Sequence, residues 1–250
     1  MSAQRPPVLD GLTALFLDFD GTLAPIAPRP QDVQTPAWVV PTLRRLQASL
    51  GGALALLSGR PLAQIDAFLS PLKLPAAGVH GVERRMADGR VRRRDPALPE
   101  AVRGAARQLV TTHRDLLLED KPGALAVHFR AAPALGELCA DTLRAALGRD
   151  DEWELLPGHE VIEVKPRGVC KGSALCAFLG EERFTGRRPV VVGDDVGDES
   201  AIVEAQLAGG FGVRVGPGQS AARYRLADTR AVRRWLMACA KGLEAPEDRW

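Results

Sequence analysis

Residues 14–22 read Ala14-Leu15-Phe16-Leu17-Asp18-Phe19-Asp20-Gly21-Thr22. An apolar run that ends in acidic residues, Gly and Thr is the pattern of a strand buried on both faces. Residues two apart on an extended strand point the same way, so Asp18 and Asp20 can face one reacting centre while Phe19 packs elsewhere. Gly21 and Thr22 offer backbone and hydroxyl donors just beyond. An acidic turn with Gly is common by itself. Its weight comes from the other strands that end in the same manner.

Gly52–Leu57 is a second buried run and closes on Ser58-Gly59-Arg60-Pro61. Ala76–Val79 is a third, closing on His80-Gly81, and Pro189–Val192 a fourth, closing on Gly193-Asp194-Asp195. Between the first two, Trp38, Val39, Leu43, Leu46 and Leu50 recur at helical spacing. Helical segments also open at Lys171 and Asp198. Strands alternating with helices predict an α/β fold, a Rossmann-like parallel sheet with helices on both faces. The middle of the chain follows another order. Pro99–His113 reads as helix, Leu116–Lys121 and Leu125–Arg130 as a strand pair around Pro122-Gly123, and Pro133–Leu147 as helix. Trp153–Leu156 and Val161–Lys165 then form a second pair around Pro157-Gly158. Two hairpins backed by two helices predict a separate α+β unit. The expected division is a core of 1–84 and 167–250, interrupted by an inserted α+β cap of 85–166.

Composition fits a globular chain: 46% apolar and 26% charged residues over 250 positions. A net charge of +2 argues against a nucleic-acid binder, whose affinity comes from a basic surface. Arg92-Arg93-Arg94 read as a solvated edge. Met1–Leu9 shows no secretion signal, and no apolar run is long enough to cross a bilayer, so the cytoplasm is the expected compartment. Cys139, Cys170, Cys176 and Cys239 show no CxxC pairing and read as small buried hydrophobes. No obligatory protein partner is evident.

Ligands of open parallel sheets bind beyond the carboxyl ends of the strands, so the acidic clusters should share one crevice. Two like charges ~4 Å apart at an effective dielectric of ~20 repel by about 4 kcal/mol. Asp18, Asp20, Asp194, Asp195 and Asp198 converging there require cations, or raised pKa values on some members. For Asp198, capping the following helix is an equally good explanation. An all-oxygen site suits Mg²⁺, which keeps waters and substrate phosphate in its remaining positions. Lys171 adds a fixed positive charge, and Ser58 a hydroxyl that can donate to a phosphoryl oxygen.

Asp-x-Asp-Gly-Thr, a strand ending in Ser, a Lys, then Gly-Asp-Asp-x-x-Asp resembles the haloacid dehalogenase-like (HAD) phosphohydrolases. All four motifs occur in order. The resemblance implies that Asp18 attacks phosphorus to form an aspartyl-phosphate, and that Asp20 protonates the leaving oxygen and later deprotonates water. It further implies that Ser58 and Lys171 hold the phosphoryl oxygens and the nucleophile. Asp18, the Asp20 carbonyl and Asp194 would bind Mg²⁺, with Asp195 and Asp198 in support. Within the expected cap, Glu119 and Lys121 share one strand face, as do His128 and Arg130. These faces are either solvated or a polar plate for sugar hydroxyls. Ser58-Gly59-Arg60, His80-Gly81, Glu119-x-Lys121, His128-x-Arg130, and Glu163 eight residues before Lys171 are similar to the trehalose-6-phosphate phosphatase branch, whose cap is of the C2 type. The implied substrate is trehalose 6-phosphate. The implied substrate contacts are Arg60, His80, Gly81, Glu119, Lys121, His128, Arg130 and Glu163. Val79 stands where that branch has Glu, and Gly197 where it has Thr. Other sugar phosphates (sucrose-phosphate, mannosyl-3-phosphoglycerate) and a non-catalytic sugar-binding module are the alternatives; the Asp18–Asp20 pair speaks against the last.

Overall fold

The computed structural model describes residues 4–94 and 96–244. The chain begins with β1 (Thr13–Leu17), α1 (Val39–Ser49), β2 (Leu54–Leu57), α2 (Leu62–Leu69) and β3 (Ala76–Gly78). A hairpin of β4 (Glu83–Arg85) and β5 (Val91–Arg93) follows. Next come α3 (Glu100–Thr112), β6 (Leu117–Lys121), β7 (Ala124–His128), α4 (Gly136–Leu147), β8 (Trp153–Gly158) and β9 (Val161–Pro166). The last stretch holds α5 (Lys171–Leu179), β10 (Arg188–Gly193), α6 (Val196–Leu207), β11 (Phe211–Val215), β12 (Tyr224–Leu226) and α7 (Thr229–Glu244).

Two sheets result. The larger has eight strands in the order β12-β11-β10-β1-β2-β3-β4-β5. It is parallel from β12 to β3 and antiparallel at β4 and β5. Every residue of β1 and β2 is buried, so both sheet faces are covered, as the continuous apolar runs require. Helix α1 packs on α7, and α5 on α6. Because β1 lies between β2 and β10, the chain leaves it in opposite directions across the sheet, and a crevice opens beyond its carboxyl end. The smaller sheet is antiparallel, in the order β6-β7-β9-β8. Its hydrophobic centre (Val102, Leu109, Leu125, Val127, Leu143, Trp153, Val164) is separate from that of the large sheet. α3 and α4 pack together behind it.

The structure departs from the sequence reading in several places. The hairpin β4–β5 belongs to the large sheet, so the crossing into the smaller unit falls after Arg93 rather than at 85. Arg85 with Asp66 and Arg84 with Glu181 tie it to the rest of the large sheet's layer, while Arg93 with Glu83 bridges its own two strands. β5 itself is exposed, which makes Arg92-Arg93-Arg94 a charged sheet edge. Cys139 and Cys239 are buried, but Cys176 is exposed and Cys170 caps α5. None of the four is paired. Among the described residues, no helix is long and apolar enough to cross a membrane.

Candidate active site

Asp18 follows β1, Ser58 follows β2, Lys171 opens α5, and Asp194 follows β10, so four elements deliver side chains to one end of the large sheet. Lys171 is 4% exposed, and its Nζ donates to Asp18 Oδ1 at 2.7 Å and to Asp198 Oδ1 at 2.6 Å. Burial alone would lower the lysine's pKa, but the two carboxylates outweigh it and hold the ammonium far above its usual range. Burial pushes the Asp18 carboxyl up, Lys171 pulls it back, and Asp198 and Asp194 add to the rise. Burial, with Asp198 next, raises Asp194 to about 7.

Glycines permit this crowding at two points. Gly21 has φ +74°, and a Cβ there would overlap the carboxylate of Asp194. A Cβ on Gly193 would overlap the carboxyl group of Asp198. Thr22 Oγ1 donates to Asp194 Oδ1 at 3.2 Å.

The five acids divide their work. Oxygens of Asp18, Asp194 and Asp198 lie within 4.8 Å of one another. Asp20 instead meets Arg60, whose Nε and Nη2 donate to its two oxygens at 2.6 and 2.7 Å. Asp195, not Asp198, is the cap of α6: its Oδ1 accepts from the Val196 N–H at 2.7 Å. Asp198 is the third helical residue, and its Oδ2 accepts from the backbone N–H groups of Asp194 and Asp195, each at 3.1 Å. Ser58 is buried and does not line the cavity, and its Oγ accepts from the Arg60 N–H at 3.1 Å.

The smaller sheet faces this crevice. One cavity of about 150 Å³ is lined by Asp18, Asp20, Lys171, Asp194 and Asp195 on one side and by Glu119, Lys121, His128, Arg130 and Glu163 on the other. Arg60 and His80 also line it. Gly81 does not: it has φ +117°, and a Cβ there would meet Val169, Cys170 and Ala174. Glu163 Oε2 meets His80 Nε2 at 3.2 Å, and its Oε1 accepts from Lys121 Nζ at 3.2 Å. Burial would raise the Glu163 pKa, yet Lys121 and His80 hold it well below the usual carboxylate range. Lys121 also donates to the Gly59 carbonyl at 3.0 Å. Arg130 donates to the carbonyl of Ala27 and through Nε to Glu160 at 3.0 Å. His159, Ile26, Ala27 and Pro30 complete the wall. The sequence reading passed over them because their loops carry no motif.

The trehalose-phosphatase family model matches residues 16–230. The trehalose-6-phosphate phosphatase of Escherichia coli strain K12 is 38% identical over 242 residues, covering 95% of this chain and 90% of that protein. The chain belongs to the trehalose-phosphatase family. As a member it is an enzyme, a phosphoric monoester hydrolase. The fold is shared with the C-terminal domain of the Candida albicans trehalose-6-phosphate phosphatase, at a TM-score of 0.81 with 21% identity, over 96% of this chain and 93% of that one. A haloacid dehalogenase-like hydrolase from Bacillus subtilis superposes at a TM-score of 0.62 with 14% identity, over 90% of this chain and 99% of that one. A HAD-type core with a cap is therefore the architecture of this trehalose-phosphatase family member. Its Val79 is fully buried at φ 47° next to His80 at φ 57°. Gly197 leaves room for a side chain in ordinary contact with the His80 ring, 3.6 Å from Cε1.

Proposed function

We propose that the protein hydrolyses trehalose 6-phosphate to trehalose and phosphate through an aspartyl-phosphate on Asp18. One observation carries this reading: the carboxylate–lysine centre and the polar faces of β6, β7 and β9 line a single cavity. The unit formed by α3, β6, β7, α4, β8 and β9 then serves as the cap that reads the sugar.

In the first half-reaction a carboxylate oxygen of Asp18 bonds to phosphorus. The P–O ester bond breaks, and the departing sugar oxygen takes a proton from the Asp20 carboxyl. In the second, water bonds to phosphorus while giving a proton to Asp20, and the acyl-phosphate bond breaks to restore Asp18. Lys171, fixed beside Asp18, and the Ser58 hydroxyl hold phosphoryl oxygens. Asp198 braces Lys171 and the Asp194 loop. Glu119, Lys121, His128, Arg130, His80 and Glu163 bind sugar hydroxyls, and Arg60 serves Asp20.

The donor set fits Mg²⁺. Its donors are all oxygens, and without an added cation burial and mutual repulsion push Asp18 and Asp194 toward holding protons. Asp18, Asp194 and the Asp20 carbonyl would hold the ion, with Asp195 and Asp198 supporting the loop. When bound, it supplies positive charge that lets an anionic carboxylate approach an anionic phosphate.

Phosphate release from a panel containing trehalose 6-phosphate, sucrose-phosphate, mannosyl-3-phosphoglycerate and glucose 6-phosphate, with and without EDTA, tests the proposal. Trehalose 6-phosphate should turn over fastest, EDTA should abolish turnover, and Mg²⁺ should restore it. Preference for another sugar would move the substrate assignment, and full activity in EDTA would remove the metal.

A further inference from the structure

Gln64 lies in the first turn of α2, four residues after Arg60, and is half-buried. Its carbonyl oxygen accepts from Arg60 Nη1 at 3.0 Å. Its amide nitrogen reaches toward Glu119 Oε1, on β6 of the cap, at 3.5 Å. The guanidinium that Gln64 holds is the one that grips both oxygens of Asp20. Arg60 also lies over the ring of Phe68, 4.8 Å from its centroid, and Phe68 stacks on Phe19 at 5.1 Å. Glu119 is fixed in turn by His128 Nε2 at 3.0 Å and by Lys121 Nζ at 3.7 Å.

These contacts form one line, Asp20–Arg60–Gln64–Glu119–His128, running from the core into the cap. Only two side chains separate the proton shuttle from the cap strand. An amide suits the middle place because it accepts from a guanidinium and donates to a carboxylate at once. Arg60 presents a planar fork, so a partner on one corner sets the tilt of the other two. The stacking of Arg60 on Phe68 leaves that tilt as its main freedom.

We propose that Gln64 is a positioning residue that couples the seated cap to Asp20: with Glu119 in place, Gln64 orients Arg60, and Arg60 aims the carboxyl that protonates the leaving oxygen. The idea rests on the assignment of Asp20 as proton donor. Its consequence is selective. An ester whose leaving group departs readily as an anion needs no well-aimed acid, whereas a sugar alkoxide or a simple phenolate does.

The test compares kcat/KM for phenyl phosphate and p-nitrophenyl phosphate, which reports events up to phosphoryl transfer and involves no sugar contact. Gln64→Leu keeps helix propensity and removes both polar links. It should lower kcat/KM for phenyl phosphate roughly five- to twentyfold and leave p-nitrophenyl phosphate within about twofold. Gln64→Glu retains the acceptor for Arg60 but sets a second carboxylate against Glu119, and should show the same selectivity. Glu119→Leu, which removes the acceptor for the Gln64 amide, should lower kcat/KM for phenyl phosphate by a similar factor, and the Gln64→Leu, Glu119→Leu double variant should lose no more on that ester than the worse single one. An equal loss on both esters, no loss, or additive losses would overturn the coupling. Asp20→Asn is the control: it must show the strongest leaving-group dependence. If it shows none, the proton-donor assignment falls and the coupling with it. If it does and Gln64→Leu does not, only the coupling falls.

Discussion

Lys171 shows how much one side chain can carry. It is the only cation in direct contact with the Asp18–Asp194–Asp198 cluster among the described residues, and it is buried along with Asp18 and Asp198. Lys171→Met conserves length and apolar volume but leaves two buried carboxylates without their partner, at a cost of about 3–5 kcal/mol. Turnover should fall to background, and urea unfolding should show the lost stability. On the proposed metal site, a bound cation would replace the missing positive charge, so adding Mg²⁺ should raise the stability of this variant more than that of the native enzyme. A variant as stable as the native protein, and indifferent to Mg²⁺, would mean that the cluster takes up protons at little cost. At this scale the sequence is legible where a residue's position follows from its strand. Asp18 and Lys171 are placed by the ends of a strand and a helix. The division of labour between Asp195 and Asp198 is not legible, because either can cap a helix and only the backbone at the turn decides. Nor is the Asp20–Arg60 pair, whose members are 40 positions apart in the chain.

Among the elements, the junction of β10 and α6 is the most constrained. The strand must end where the Asp198 carboxylate folds back onto the N–H groups of Asp194 and Asp195, and Gly193 is the residue that leaves space for it. Gly193→Ala should force the turn open and part Asp198 from Lys171. Activity should drop at least a hundredfold while far-ultraviolet circular dichroism stays native, since β10 and α6 keep their own hydrogen bonds. Near-native activity would show that the turn shifts without disturbing the centre. The buried strands β1, β2, β3 and β10 and the whole smaller unit are readable because their apolar runs are continuous and their turns carry Gly or Pro. The hairpin β4–β5 is not, since Glu-Arg-Arg and Val-Arg-Arg look like loop. They become strands because Asp66, Glu181 and the edge of β3 receive them. α7 does carry a readable signal, with Ala231, Trp235 and Cys239 alternating with Val232, Leu236 and Ala240 at helical spacing, but no chemistry marks it. β11 and β12 are short and half-buried, and offer less.

At the scale of the whole molecule, the cap is seated on the core and the cavity between them is about 150 Å³. Pockets that enclose drug-sized ligands run to roughly 300–1,000 Å³, so the cavity in this arrangement is smaller than a disaccharide phosphate requires. The two units are joined by long-range links, His80 to Glu163, Lys121 to Gly59 and Arg130 to Ala27, whose partners lie 83, 62 and 103 positions apart and leave no local trace in the sequence. Glu163 is the centre of this clasp, and its depressed pKa gives the clasp a pH signature. A carboxylate whose folded value lies below its unfolded value stabilises the fold fully above the unfolded value, near 4.5 for this group, and loses that contribution as the pH falls toward the folded one. Glu163→Gln removes the charge that Lys121 and His80 face, at a cost of about 3 kcal/mol at neutral pH. The gap in unfolding free energy between native enzyme and variant should therefore be open at pH 7 and still open at pH 5. Below pH 4.5 it should narrow steadily, because the unfolded native chain takes up a proton that the folded one refuses. Urea titrations of both proteins at pH 7, 5 and 3.5 measure this directly. A gap that persists undiminished at pH 3.5 would mean that the carboxylate is not what Lys121 and His80 hold. A gap absent at pH 7 would mean that the clasp contributes nothing to the fold and exists for the sugar alone.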